Sequence, residues 1–483
     1  MIQVTPIYLR ADGNKMIGLG HVHRLLALAE MLAHNFDCYF AIAEPSDSLR
    51  ELIGKYCKKI IDIPANDWHG LDEFASYLSG REIVVLDGYQ FNLAYQSVIK
   101  AKGSRLVCID DINAQAFSAD VVINPSGGVN QRDYSLPEGC FFGSGPAWAL
   151  LKSQFRIALP NEWESKRTGN CLICLGGADP NGVTLIALAE CMKHEFISIH
   201  VVVGSAFQQW EKLTGLKESV DSNVILYRDV TPEELTEIMR NCGVAVCSSS
   251  GVAYEYLSVG GELYLIQTAD NQASMNRFLI SQGLAFSFSE MPVSREEVLK
   301  SRANQLSVFD GKIEERYIKL FKRLEFELRA TLRLVGLEDE KLLFEWANDP
   351  EIRNQSYNQA PINWPTHQEW LRKKLADKNS YFYIIQTDGI PVGQVRLEIA
   401  NQVAIVSYSI DKAFRGQGLG RSLLSMALKE FKKKMVHPIL IVGYVKFSNE
   451  VSCRIFDSLG FKQTPTTDYP NSFRYEYVTH EDN

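Results

Sequence analysis

Arg10-Ala-Asp12-Gly-Asn-Lys-Met-Ile-Gly18-Leu-Gly20-His21-Val-His23-Arg24 lies between an apolar run, Val4 to Leu9, and the segment Leu25-Leu-Ala-Leu-Ala-Glu-Met-Leu-Ala33. The first flank predicts a buried strand. The second is long and rich in good helix formers, which predicts a helix. Strand, glycine loop and helix together aim free backbone N–H groups and the positive helix end at an anion. Gly18 and Gly20 carry no Cβ, so a diphosphate can approach the backbone there. His21 stands at the helix start, where an imidazole can act as a general base close to neutral pH.

Two other readings of the stretch stand beside this one. A dinucleotide fingerprint needs an acidic residue ~20 positions further on. Glu44 meets that distance, but His23 occupies the place of the third glycine. The plainer reading is a tight turn ahead of a core helix, with His21 as a cap. The residues Arg10, Asp12, Ile17-Gly18-x-Gly20-His21 and Arg24 resemble the signature of the UDP-sugar hydrolases of pseudaminic acid biosynthesis. Those enzymes cleave UDP-2,4-diacetamido-2,4,6-trideoxy-β-L-altropyranose and look like relatives of glycosyltransferases with two facing Rossmann-like domains. The resemblance implies water activation by His21, with Arg10, Asp12, Gly20, Arg24 and Tyr89 at the substrate.

At 483 residues the chain exceeds one ordinary core, and two to four domains are expected. Hydrophobic residues make up 46% and charged residues 22%, the balance of a globular protein. The net charge of −8 argues against nucleic acid as the main partner. No run reaches the ~20 apolar residues of a membrane span, so no membrane partner is expected. Met1-Ile-Gln-Val enters a strand directly, without a charged leader. Ten cysteines are scattered through mostly apolar runs, which suits reduced, buried thiols of a cytoplasmic protein. Cys171 and Cys174 form a C-x-x-C inside a strand-like run with no second pair nearby, so no metal is expected.

From Cys38 to Leu151 short apolar runs alternate with helical patterns, which predicts a parallel α/β sheet. Polar clusters close these runs at Asp87-Gly-Tyr89, Asp110-Asp111 and Asn124-Pro-Ser-Gly-Gly128. Open parallel sheets bind ligands outside the carboxyl ends of their strands, so these clusters belong either to one rim with His21 or to capped turns. Gly143 to Lys152 looks like the crossing segment of the hydrolase family. A second α/β unit follows, with Ser248-Ser-Ser250-Gly251 opening a helix as a second phosphate cradle. Glu255 stands where related enzymes bind a ribose diol, and Asn271-Gln272 matches the polar pair bordering the nucleotide in such enzymes. A glutamate early in a helix also simply complements the dipole.

Beyond about Arg329 the chain starts again. Tyr381–Gln386, Val392–Ile399 and Val403–Ile410 predict antiparallel strands ahead of Arg415-Gly416-Gln417-Gly418-Leu419-Gly420-Arg421 and a helix. Asn449-x-x-Ser452-x-x-x-Phe456-x-x-x-Gly460-Phe461 follows. This region resembles the GNAT acetyltransferase fold, which implies acetyl-CoA held by residues 415–421 and Asn449. Many such enzymes have a tyrosine where Phe456 stands, to protonate the leaving thiolate; phenylalanine cannot, so Glu398 and Tyr408 are the candidates for proton transfer.

The fold expected is α/β, with two Rossmann-like domains (1–152 and 153–328) facing across a cleft and a C-terminal GNAT α+β domain (329–483). The function expected is acetyl-CoA-dependent N-acetylation of a UDP-linked amino sugar, then hydrolysis of the diacetamido product to free sugar and UDP. A UDP-sugar glycosyltransferase, a non-catalytic sugar-nucleotide sensor and a protein N-acetyltransferase are the rivals.

Overall fold

The apolar runs between glycine turns assemble as strands in a computed structural model that describes residues 4–13, 18–64, 71–113, 115–156, 169–177, 179–218, 223–466 and 468–479. Met1 to Gln3 and Ile17, used in the sequence reading, lie outside the described residues. The chain forms two compact units, Met1–Ile318 and Lys319–Asn483. The division falls within a helix, Ile313–Arg329.

The first unit carries two parallel sheets. The first contains β1 (Pro6–Arg10), β2 (Asp37–Ala43), β3 (Lys59–Ile63), β4 (Ile83–Asp87), β5 (Arg105–Ile109), β6 (Val121–Asn124) and β7 (Phe141–Ser144). Their spatial order is β3-β2-β1-β4-β5-β6-β7. The chain builds outward from β1 through β3, then returns to add β4 on the other side. A crevice therefore opens where the direction reverses, at the carboxyl ends of β1 and β4. The helix Gly20–Leu32 starts in that crevice. Its residues Leu25, Leu28, Met31 and Leu32 are fully buried, each contributing roughly 1.5–3 kcal/mol of apolar transfer. That packing fixes where His21 points.

The second sheet repeats the plan with β8 (Asn170–Cys174), β9 (Ser198–Val203), β10 (Val224–Arg228), β11 (Val244–Ser248), β12 (Glu262–Ile266) and β13 (Phe286–Ser287). The order β10-β9-β8-β11-β12-β13 puts the reversal between β8 and β11. Both sheets are Rossmann-like. Tyr254, on the helix Gly251–Val259, donates to Pro125 O at 2.7 Å and Ser126 O at 3.0 Å, tying the second half to the first. Gly127 has φ +74, and a Cβ there would fall 2.6 Å from the Phe278 ring. The glycines at the Asn124–Gly128 rim thus serve close packing between the halves. All ten cysteines are free; nine are buried and Cys453 is partly so.

The second unit has one sheet in the order β14-β15-β16-β17-β18-β20-β19. The strands are β14 (Ala330–Leu334), β15 (Ser380–Thr387), β16 (Ile390–Ala400), β17 (Val403–Ile410), β18 (Leu440–Lys446), β19 (Lys462–Thr464) and β20 (Ser472–Val478). Every pairing is antiparallel except β17 with β18, which pair over only Val403–Ile405 and Leu440–Val442. Beyond Ile405 and Val442 the two strands no longer pair, and a V opens towards Ile410 and Lys446. No described helix is long and apolar enough to cross a membrane.

Candidate functional site

Asp87, at the carboxyl end of β4, collects the first site. His21 Nδ1 lies 2.7 Å from Asp87 Oδ1. Arg24 donates through Nε to Asp87 Oδ2 at 2.9 Å, through Nη2 to Oδ1 at 2.7 Å and through Nη1 to Asp111 Oδ2 at 2.7 Å. Arg24 Nη2 also approaches His21 Nδ1 at 2.7 Å. A guanidinium only donates, so His21 has two tautomers here: Nδ1 accepts from Arg24, or Nδ1–H donates to Asp87 and Nε2 keeps the lone pair that a general base needs. Burial works against the charge on Arg24, but Asp87 and Asp111 outweigh it and raise the pKa. Asp87 is wholly buried, whereas the His21 side chain keeps 14% exposure. The Arg24 and Asp111 side chains keep 21% and 17%, so three of the four reach the surface, and of these the imidazole can serve as a general base.

Tyr89 stands edge-on to His21, with ring centroids 5.0 Å apart. Its pKa is pushed up to about 12 by burial and by Asp111, with a hydrogen bond from Asn271 opposing. Through that bond the second half reaches the first site. Arg10 and Asp12, expected at the substrate, are committed internally. Arg10 is fully buried, bonds Asp12 Oδ1 at 2.5 Å and lies over the Phe91 ring. Asp12 also accepts from Ala43 N at 2.9 Å and Gln90 Nε2 at 3.0 Å. The pair braces the strand ends, with Arg10 wholly buried and the Asp12 side chain 16% exposed.

The second cradle lies at the other reversal. Ser250 N donates to Ser248 O at 2.8 Å, and the two hydroxyls are 2.9 Å apart. No side chain caps the helix that starts at Gly251, and a Cβ at Gly251 would meet nothing within 4 Å. Its first amides are open to an anion. Burial raises the Glu255 pKa, with Lys152 opposing. Gln272 is used locally, its Oε1 accepting from Thr268 N at 2.8 Å, so of the predicted polar pair only Asn271 looks across to the first half.

In the C-terminal unit Gly416 and Gly418 take φ +75 and +76, with open space where a Cβ would stand. The helix Gly420–Lys432 has no side-chain cap. Residues 416–420 thus offer bare amides beside the V between β17 and β18, and they fit a pyrophosphate. Gly420 differs: a Cβ there would fall 2.6 Å from Ile455 Cδ1, so its missing side chain serves packing. Leu419 is core. Gln417 bonds Ala413 O at 3.2 Å, Arg421 is partly buried, and Asn449 caps the helix Glu450–Ser458 by accepting from Ser452 N at 3.1 Å. Arg415 is held by Ile410 O at 3.0 Å and by Asp349 and Glu351, both at 2.8 Å.

Glu398 and Tyr408 do not come together. Tyr408 pairs with Val395 across β16 and β17 and packs with the larger core cluster. Glu398, three residues further along β16, projects to the opposite sheet face, where Lys374 and Arg396 hold it. Phe456 is buried, stacked on Tyr475 at 5.3 Å. Two tyrosine rings flank it, Tyr475 and Tyr408, and the Tyr408 hydroxyl lies 2.8 Å from Ser452 Oγ. Burial raises the Tyr408 pKa, which keeps that proton in place. Among the described residues no group of three or more His, Cys, Asp or Glu could hold a metal ion.

The sequence offered Asp87 and Asp111 for one rim with His21, but not their pairing with His21 and Arg24. The only signal was their place at the ends of strand-like runs.

Residues 329–462 match the family model described as Acetyltransferase (GNAT) domain. An uncharacterised protein of Methanocaldococcus jannaschii is 22% identical over 95% of this chain and 97% of its own length. The UDP-2,4-diacetamido-2,4,6-trideoxy-β-L-altropyranose hydrolase of Campylobacter jejuni is 24% identical over 57% of this chain and 97% of its own length. Spermidine N-acetyltransferase of Vibrio cholerae, solved with CoA and spermine, covers 31% of this chain and 95% of its own, at 18% identity and TM-score 0.29.

Proposed function

We propose that this chain, with a GNAT acetyltransferase domain at residues 329–462 and an N-terminal homologue of the Campylobacter UDP-sugar hydrolase, is a bifunctional nucleotide-sugar enzyme. In this reading residues 1–152 and 153–328 are the two halves of a GT-B-like hydrolase and 329–483 the acetyltransferase. The chain N-acetylates UDP-4-amino-4,6-dideoxy-β-L-AltNAc and then hydrolyses the diacetamido product. The Asp87-oriented imidazole of His21, at a sheet reversal, carries the hydrolase half of this reading.

His21 Nε2 takes a proton from water as the water oxygen bonds to the anomeric carbon. The bond from that carbon to the diphosphate oxygen breaks, and UDP leaves with the electron pair. Asp87 stabilises the imidazolium and fixes the tautomer. The open amides at Gly251, with Glu255 for the ribose and Asn271, hold the nucleotide. In the other unit, bound acetyl-CoA supplies the acetyl group as a thioester. The amides of 416–420 bind its pyrophosphate, and the protonated Tyr408 hydroxyl supplies the proton that the departing thiolate needs.

Mass spectrometry of products from UDP-4-amino-4,6-dideoxy-β-L-AltNAc plus acetyl-CoA, with no acceptor added, tests the whole reading. Free diacetamido sugar, UDP and CoA are expected. UDP-sugar that persists until an acceptor is added would make the first unit a glycosyltransferase. Binding without turnover would make it a sensor.

A further inference from the structure

The second sheet has a cavity at the rim away from its anion cradle. It measures about 350 Å³ and is bordered by Val244 and Glu262, the first residues of β11 and β12, by Phe196, and by Met291, Val293 and Val298. That volume falls within the ~300–1,000 Å³ of small-molecule sites. Ser248, in the cradle, is the other end of β11, four strand steps or roughly 13 Å away. A small molecule in the cavity is thus out of reach of the nucleotide.

The walls are apolar and partly buried, since Val244, Phe196, Met291 and Val293 pack against the core of the second half. One acid is set among them. Glu262 accepts through Oε1 from the Tyr264 hydroxyl, which itself accepts from Val293 N at 3.0 Å. No described residue bonds Oε2. Burial raises the Glu262 pKa and the Tyr264 bond opposes that; no cation contributes. Arg295 borders the cavity too, but it is exposed at the start of the helix Arg295–Val308, where water and salt screen it. His194, also at the border, sets its ring beside Phe196, with centroids 6.2 Å apart. A half-buried carboxylate without a cation is what an ammonium would complete, by a charge-assisted hydrogen bond to the free oxygen. A ligand carboxylate would instead meet a like charge between apolar walls.

We propose that this cavity binds a small organic amine, with the ammonium on Glu262 and the apolar body against Phe196, Met291 and Val298. The site lies apart from both proposed reactions, so it stands or falls without the hydrolase reading.

The probes are 2-phenylethylamine and 3-phenylpropanoate, which share an apolar body and carry opposite charges, titrated into the full chain by ligand-observed NMR. The amine should bind at about 10 mM or tighter, the scale open to a ligand of about nine heavy atoms. The acid should bind about tenfold more weakly or not at all. Glu262→Gln keeps the shape and the Tyr264 bond but removes the charge, and should weaken the amine about tenfold or more. Val298→Trp fills the cavity from its helix side and should abolish binding, with thermal melting of both variants as the check on folding. UDP should not displace the amine. No binding of the amine to wild type, equal affinity for amine and acid, or an amine affinity unchanged in Glu262→Gln would each overturn the proposal. Displacement by UDP would put the amine in the nucleotide crevice and overturn it too.

Discussion

The glycine loop before Gly20 and the glycine loop before Gly420 look alike in sequence, yet they are finished by different means. At Gly416 and Gly418 the working groups are backbone amides in positive-φ conformations, all within a few residues. At Gly18 and Gly20 too, a Cβ would meet nothing within 4 Å. In the proposed hydrolase site the chemistry depends on Asp87 and Asp111, which lie 66 residues from His21 and 87 from Arg24 along the chain. A cradle made of backbone is a local property. A charge relay is a property of strand order, because β4 must be inserted beside β1 before Asp87 can meet His21.

The comparison breaks most visibly at Gly418. Valine there would need φ +76, where a β-branched residue is strongly disfavoured, and its side chain would fill the space left for the pyrophosphate. Gly418→Val should therefore abolish acetyl-CoA binding in calorimetry and acetyl transfer with it. UDP release from an already acetylated substrate should continue at the wild-type rate, because the first unit keeps its own site. Loss of both activities together would show that the two cradles do not work independently. The converse change, His21→Ala, should lower UDP-sugar hydrolysis ~10²-fold or more and leave acetyl transfer intact. A stopped assay with wild-type turnover would remove His21 from the mechanism.

What could be read from sequence follows the same division. Both Rossmann-like sheets and the acetyltransferase sheet were legible because their apolar runs end at glycine and polar punctuation. Arg10 and Asp12 were legible as part of a motif but not as braces, because Arg10's burial comes from Phe91 and β2 packing over it. Glu398 and Tyr408 both read as strand residues near a loop. Only the register, with Val395 opposite Tyr408, puts them on opposite faces of the sheet. β20, Ser472–Val478, carries the aromatic side of the core against Phe456 and was not anticipated, although Pro470-Asn471 ahead of its alternating aromatic and charged residues is a turn signal.

Two smaller effects sharpen the account of the first unit. Asp87→Asn keeps the shape but offers His21 no negative charge and one fewer acceptor. Hydrolysis should fall about 10- to 100-fold in kcat, with UDP affinity little changed, as steady-state kinetics with UDP inhibition would show. An equal loss in kcat and UDP affinity would mean that Asp87 holds the nucleotide site instead. Glu255→Ala should weaken UDP binding by roughly 1–3 kcal/mol in calorimetry. Because burial raises the Glu255 pKa, UDP affinity should also begin to fall at a higher pH on acidification than an exposed glutamate would allow. Unchanged affinity at both pH values would make Glu255 a helix-start residue only.

The smallest effect separates His23 from His21, two residues apart in the same motif with opposite fates. His21 meets the cleft and an anionic partner. His23 faces the interior, and its pKa is lowered to about 4, first by burial and then by Lys152. A base whose folded pKa lies below its unfolded value is held neutral by the fold, so the unfolded chain binds more protons between the two values. Its contribution is therefore complete above the ordinary value of 6.5 and is lost as pH falls from there towards 4. Residual solvent contact screens the effect to the order of 1 kcal/mol. Chemical denaturation of wild type and His23→Gln at pH 7.5 and 4.5, values chosen to bracket roughly the titration range of an imidazole, measures it. Wild type should lose more stability than the variant on acidification, and the difference between the two proteins cancels the carboxylates they share. Equal losses would place His23 in contact with water, and with it the first turn of the helix that carries His21.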